Sequence, residues 1–262
     1  MSLKDSFVIG ISQSGRAADA NEVLARGRAD GAVTLAITNN ADSLMASTAE
    51  YHLNCSAGPE VSVAATKTFV TQLYLSALLV AEWSRNSELK KALRAVPGVL
   101  EKTYKLEDVI GQAARRYCFA TDGFILGRGF AYPIAMEFAL KTQETCYVRT
   151  RGYATSDFYH GPIAMISDNT PTFLFAVEEN LYEDAEKMAE KLHEKGADVF
   201  AFTTSTNLLT KVNDGVLLPG KNGVEALFAA VAAMQIFACK LSLAKGLNPD
   251  APRGLSKVTI TK

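Results

Sequence analysis

Short apolar runs alternate along this chain with longer stretches whose apolar positions recur every three or four residues. FVIGI, near the start, is β-branched-rich and reads as a strand of a parallel sheet. AADANEVLARGRADG follows with helical period and closes on Gly31. AVTLAIT repeats the apolar run, YHLNC is a weaker third strand, and ATKTFVTQLYLSALLVAEWSR predicts a long helix. Strands and helices in alternation imply a doubly wound α/β lobe.

SELKKALRAVPGVLEKTYKLEDVIGQAARRY is helical and charged, and Pro97-Gly98 predicts a break in it, as in a segment joining two lobes. A second series then begins with GFILGRGF as strand and turn and AYPIAMEFALKTQET as helix. TPTFLFAV (strand), YEDAEKMAEKLHEKG (helix), ADVFAFTT and GVLLP (strands) and a long helix from Gly223 to Lys245 complete it. The repeated pattern predicts two similar α/β lobes, residues 1–95 and residues 96–262, the second carrying a C-terminal tail. The first supplies two or three strands where about four are usual, so it reads as a lobe lacking its N-terminal strands.

Composition narrows the function. Lys and Arg number 27 against 28 Asp and Glu, so no broad field attracts nucleic acid or an anionic membrane. Any bound anion must be held by local geometry. Cys55, Cys118, Cys146 and Cys239 lie far apart without metal-ligand spacing and read as reduced thiols of a cytoplasmic protein. The apolar VEALFAAVAAMQIFACKLSLA is interrupted by Glu225, Gln235 and Lys240, which favours a buried helix over a membrane span.

Ser12-Gln13-Ser14-Gly15 sits where a parallel strand feeds a helix N-terminus, a place where free N–H groups and the helix dipole favour anions. Two hydroxyls and an amide suit a phosphate monoester, and an ordinary serine cap is the equal alternative. GRGFAY is the matching turn in the second lobe, a ligand cap or a plain turn. Ala64, Ala65, Thr66 and Lys67 open a helix with small residues that allow close backbone approach. Glu137, Lys141 and Glu144 share one helix face; the bland reading is a solvated stripe, the sharper one a carboxylate that moves a proton. His160, in SDFYHGPIAMI, lies in a polar-aromatic loop, as either a structural hydrogen-bonder or a proton carrier. His52 and His193 are less promising. Lys257 lies in the tail APRGLSKVTITK, solvated unless the tail folds back over a site.

Together ISQSGRAAD, AGPEVSVAATKTF, LGRGFAYPIAMEFALKTQE, DFYHGP and GLNPDAPRGLSKVTITK resemble the SIS (sugar isomerase) family in tandem form, over nearly the whole chain. Within it the order is most similar to SIS-type glucosamine-6-phosphate deaminases and the isomerase half of glutamine:fructose-6-phosphate aminotransferase. The resemblance implies two flavodoxin-like three-layer α/β/α lobes with parallel sheets. It implies that Ser12, Gln13 and Ser14 bind a sugar phosphate and that Ala64 and Thr66 lie beside the sugar. It gives Glu144 the C1/C2 proton transfer, His160 ring opening, and Lys257 closure of the tail. No metal or redox cofactor is implied, and a homodimer with a shared active site is, the histidine coming from the neighbouring subunit. Three positions depart from the pattern. Ala17 replaces a threonine, Asp157 stands for a longer carboxylate, and Arg151 replaces an acidic residue. Arg149 and Arg151 raise the expectation of a substrate with a second acidic group.

The implied activity is isomerisation or deamination of an amino-sugar phosphate such as glucosamine 6-phosphate. The alternatives are the glucosamine-6-phosphate synthase (isomerising) direction, a sugar-amine phosphate deglycase, and a phosphosugar-binding regulatory module with no enzymatic activity. Neither nucleic acid nor membrane is an expected partner.

Overall fold

The computed structural model describes residues 2–221, 223–255 and 257, so the tail is described only through Leu255 and at Lys257. The chain divides into two compact units, one formed by the chain up to Ser87 together with its end from Arg253, the other by Glu88–Pro252. Residues 88–95 thus fall with the second unit and the tail with the first.

The first unit runs β1 (Phe7–Ser12), α1 (Ala18–Ala29), β2 (Val33–Thr38), α2 (Leu44–Thr48), β3 (Tyr51–Asn54) and α3 (Lys67–Trp83). Its sheet is parallel in the order β1-β2-β3. Alternation decides the faces. Leu24, Ala36 and Met45 pack with Val8 on one side, while Leu35, Ile37 and Cys55 pack with Leu75 and Leu79 on the other. Gly10 is a packing position, because a Cβ there would overlap Leu24. β1 is an edge strand, and Phe7, Ile9 and Ile11 on one of its faces remain exposed.

The second unit begins with α4 (Ser87–Tyr104) and α5 (Glu107–Arg115). The helix does not break at Pro97-Gly98 but runs through it, with Leu93, Val96 and Val99 buried. α5 packs into the unit as well, with Ile110, Gly111, Ala113 and Ala114 buried. There follow β4 (Asp122–Gly127), α6 (Ala131–Cys146), β5 (Arg149–Ala154), α7 (Thr155–Phe158), β6 (Pro171–Ala176), α8 (Tyr182–Glu194), β7 (Asp198–Thr203), α9 (Thr206–Leu209), β8 (Asp214–Leu217) and α10 (Gly223–Ala244).

The five strands are parallel in the order β5-β4-β6-β7-β8. One face carries Phe124, Leu126, Leu174, Val199 and Ala201 against Met188 and Leu192 of α8. The other carries a cluster of rings in which Phe138 of α6 and Phe237 of α10 meet Phe173, Phe175, Phe200 and Phe202. Phe175 and Phe202 stack with centroids 4.6 Å apart. Helices on both faces make a three-layer lobe. α10 is long and apolar enough to cross a membrane, but most of it is buried inside the protein, and Lys240 on it pairs with Glu107 at 2.5 Å.

Candidate functional site

Within the first unit the candidate residues gather at the carboxyl end of the parallel strands, where open α/β sheets bind ligands. Ser12 ends β1, and the chain turns at Gly15, whose φ of +65° is open to glycine at little cost. A Cβ at Gly15 would overlap the side chain of Ser43, the buried residue that caps α2. The turn is internally bonded. Ser12 Oγ accepts from Gly15 N at 3.1 Å, and Ser14 Oγ accepts from Arg16 N at 3.3 Å. Ala17 leaves α1 without a side-chain cap. Asn21 steadies the turn instead. It is buried, and its Nδ2 donates to Gly15 O (3.2 Å) and Ala17 O (2.7 Å).

Asn39, which the sequence reading passed over, joins this turn to the loop before α3. Its backbone N–H donates to Gln13 O at 3.1 Å, its Nδ2 donates to Gly58 O at 2.9 Å, and its Oδ1 accepts from Ala57 N at 2.9 Å.

Two residues beyond Gly58 is Glu60, also unsuspected from sequence, with a side chain only 3 % exposed. Its Oε1 accepts from Thr66 N (3.0 Å) and Thr68 N (3.1 Å), and its Oε2 accepts from Thr68 Oγ1 at 2.5 Å. A carboxylate from the preceding loop thus caps α3, satisfying N–H groups that the helix itself leaves open. Lys257 folds back to this place. Its Nζ donates to Ser62 O at 2.6 Å and lies 3.4 Å from Glu60 Oε2. Burial pushes the Glu60 carboxyl up, but the Thr68 and Thr66 donors and the Lys257 charge outweigh it and hold the carboxyl below its ordinary value. Ala64 is buried, and Thr66 Oγ1 donates to Ala64 O at 3.2 Å. Ala64, Thr66 and Lys257 are therefore gathered around one carboxylate, and Asn39 links that cluster to the serine turn.

In the second unit, the Glu137, Lys141 and Glu144 stripe is not solvated. Lys141 has a side chain 6 % exposed and lies 2.5 Å from Glu144 Oε2 and 3.5 Å from Glu137 Oε1. Burial drives the Glu137 carboxyl up, opposed by the Lys141 charge. The helix ends just beyond, at Tyr147 in the left-handed conformation. Thr142 Oγ1 meets Thr150 Oγ1 at 2.6 Å and Gln143 Nε2 donates to Thr150 O at 2.7 Å, which fastens α6 to β5.

His160 is exposed and lies beyond α7, with its backbone N–H on Asp157 O at 3.1 Å. Glu144 precedes β5 and His160 follows it, so they sit at opposite ends of a strand spanning about 17–20 Å. Among the described residues no hydrogen bond or ion pair joins them. Arg149 and Arg151 lie on the face of β5 that carries Tyr153, which packs on Phe158 of α7. Thr150 and Gly152 face α6, so the two arginines leave β5 on the opposite face, away from the helix that bears Glu144. The GRGF turn is filled by the chain itself, since Phe130 N donates to Glu178 Oε2 at 2.6 Å and Arg128 pairs with Asp184 at 2.8 Å. No three His, Cys, Asp or Glu side chains come together as a metal site among the described residues.

The SIS domain model matches residues 1–81 and 122–214. Over 97% of its length the chain is 35% identical to the isomerizing glutamine–fructose-6-phosphate aminotransferase of Aquifex aeolicus, of which it spans 43%. It thus spans less than half the length of that relative. The C-terminal domain of glucosamine-fructose-6-phosphate aminotransferase from Francisella tularensis superimposes with a TM-score of 0.87 at 25% identity, covering 95% of this chain and 74% of that one. A glucosamine-6-phosphate deaminase from Thermotoga maritima, 19% identical with a TM-score of 0.77 over 97% of this chain and 75% of its own, shares the fold. With the two parallel three-layer patterns and the ordered motifs, these matches establish that the chain belongs to the SIS domain family, whose members here include phosphosugar isomerases.

Proposed function

We propose that this protein interconverts phosphosugars at C1 and C2, with an amino-sugar phosphate such as glucosamine 6-phosphate as substrate. The observation that carries the reading is Lys141, buried and gripped by Glu137 and Glu144. A helix does not bury a lysine between two carboxylates for solubility, whereas a proton-transfer site needs a carboxylate fixed in place.

In this reading Ser12, Gln13 and Ser14 hold the phosphate. After ring opening, Glu144 takes the proton from C2 and returns it to C1, leaving an imine at C2. Water adds to that imine and ammonia leaves, giving fructose 6-phosphate. His160 exchanges the ring-opening proton. Its distance from Glu144 along β5 supports a homodimer in which each histidine serves its neighbour's carboxylate. Lys257, beside Ala64 and Thr66, supplies an ammonium near the sugar. A cytoplasmic location and the absence of a cofactor belong to the same proposal.

The reverse direction, in which fructose 6-phosphate receives ammonia, is the second reading, favoured by the similarity to the aminotransferase of Aquifex aeolicus. A phosphosugar-binding regulator is the non-enzyme alternative. Incubation with glucosamine 6-phosphate, following ammonia and fructose 6-phosphate, separates them when Glu144→Gln is the control. Turnover that Glu144→Gln abolishes supports the deaminase, product formation only from fructose 6-phosphate plus ammonia supports the reverse direction, and binding without turnover in either supports the regulator.

A further inference from the structure

Glu60 does more than a helix cap requires. One oxygen, Oε1, already accepts from both Thr66 N and Thr68 N. The second is turned toward Thr68 Oγ1 and the ammonium of Lys257. The carboxylate is held from three directions and its side chain is 3 % exposed, so it is a fixed post. Lys257, in contrast, is a residue of the chain's tail with a side chain 26 % exposed.

We propose that Glu60 is a positioning residue that acts through Lys257, holding the tail lysine beside the Ala64–Thr68 segment. This rests on the reading that the site turns over phosphosugars. An ammonium has three donors. Ser62 O takes one at 2.6 Å and Glu60 Oε2 faces a second at 3.4 Å, which leaves the third without a partner among the described residues. A lysine stem is flexible, and an ammonium left to itself samples many rotamers. Two anchors of fixed position select one of them and leave one N–H to meet a hydroxyl or carbonyl oxygen of the open-chain sugar. The loop bearing both anchors is tied through Gly58 and Asn39 to the serine turn, so the post and the phosphate cradle share one frame.

The test is amine acetylation of the whole protein, quantified at individual lysines by mass spectrometry. In the unmodified protein Lys257 should react about fivefold more slowly than Lys195, which is exposed and makes no side-chain bond among the described residues. Glu60→Gln keeps an oxygen to cap α3 but removes the charge, and should erase that difference. Equal reactivity of the two lysines in the unmodified protein overturns the proposal, and so does protection of Lys257 that survives Glu60→Gln. The first comparison needs no variant, so equal reactivity overturns the proposal even where Glu60→Gln does not fold. Kinetics supply the second arm with glucosamine 6-phosphate. Glu60→Gln should lower kcat roughly tenfold while KM changes little, and should add nothing in a Lys257→Met background. Additive losses overturn the proposal. Absence of turnover in the unmodified protein would refute the phosphosugar reading alone, since the acetylation result stands without it.

Discussion

Replacing Lys141 with methionine removes the cation from the carboxylate pair while keeping the apolar stem. Lys141 is 6 % exposed, Glu137 12 % and Glu144 24 %, at 3.5 Å and 2.5 Å. Removing one partner of a buried ion pair costs about 3–5 kcal/mol, because the group left behind cannot recover its hydration. Glu144 is a quarter exposed and can draw on water, so about 3 kcal/mol is the expected cost. In a unit of this size that lowers the melting midpoint by about 6–12 °C. The pH dependence separates charge from packing. Burial already raises the Glu137 carboxyl, and Lys141 is the group that opposes it, so the variant raises it further. A carboxyl raised in the folded state costs stability above its unfolded value of about 4.3, and the cost disappears as it takes up a proton. The stability deficit of Lys141→Met should therefore be largest near neutrality and shrink as the pH falls toward that value. Urea unfolding followed by far-UV circular dichroism measures it. A deficit that is the same in acid and at neutrality would refute the electrostatic reasoning and leave only lost packing.

Gly15→Ala places a Cβ at φ +65° against the Ser43 side chain, and should cost about 1–3 kcal/mol and weaken phosphate binding, as read by calorimetry with inorganic phosphate. Glu178→Ala removes the acceptor for Phe130 N at the start of α6, and urea unfolding should show a loss of about 1–2 kcal/mol. The Glu60 carboxyl is held below its ordinary value, so its contribution is present above a pH of about 4.3 and lost as the pH falls through the folded value; Glu60→Gln should flatten that acid limb of the stability curve.

Most of the strands were legible because a parallel sheet buried on both faces leaves continuous apolar runs. β4, β6 and β7 are of this kind. β5 was not, since it is an edge strand, and edge strands carry charge that interrupts the apolar run. Arg149 and Arg151 broke the apolar run, and only Thr150 and Gly152 face α6. The break expected at Pro97 failed for the opposite reason. Local chemistry there disfavours a helix by roughly 3 kcal/mol, and burial of Leu93, Val96 and Val99 on the same helix outweighs it.

The site divides along a similar line. Ser12, Gln13 and Ser14 could be read because a strand-to-turn-to-helix pattern is local, and the structure keeps them in one turn. Glu60 and Asn39 could not, because each acts through partners distant in the chain: Glu60 holds Lys257 across 197 positions, and Asn39 reaches Gly58 across 19. A surface glutamate and one joined to a far lysine look identical in a linear pattern. Lys141 is the instructive middle case, since its i+3 and i−4 carboxylates were visible and only their burial was not. Spacing proposes which charges meet. Whether water is present when they do decides if the pair is a solubility device or a fixed proton-transfer group, and that depends on which helix face the rest of the lobe covers.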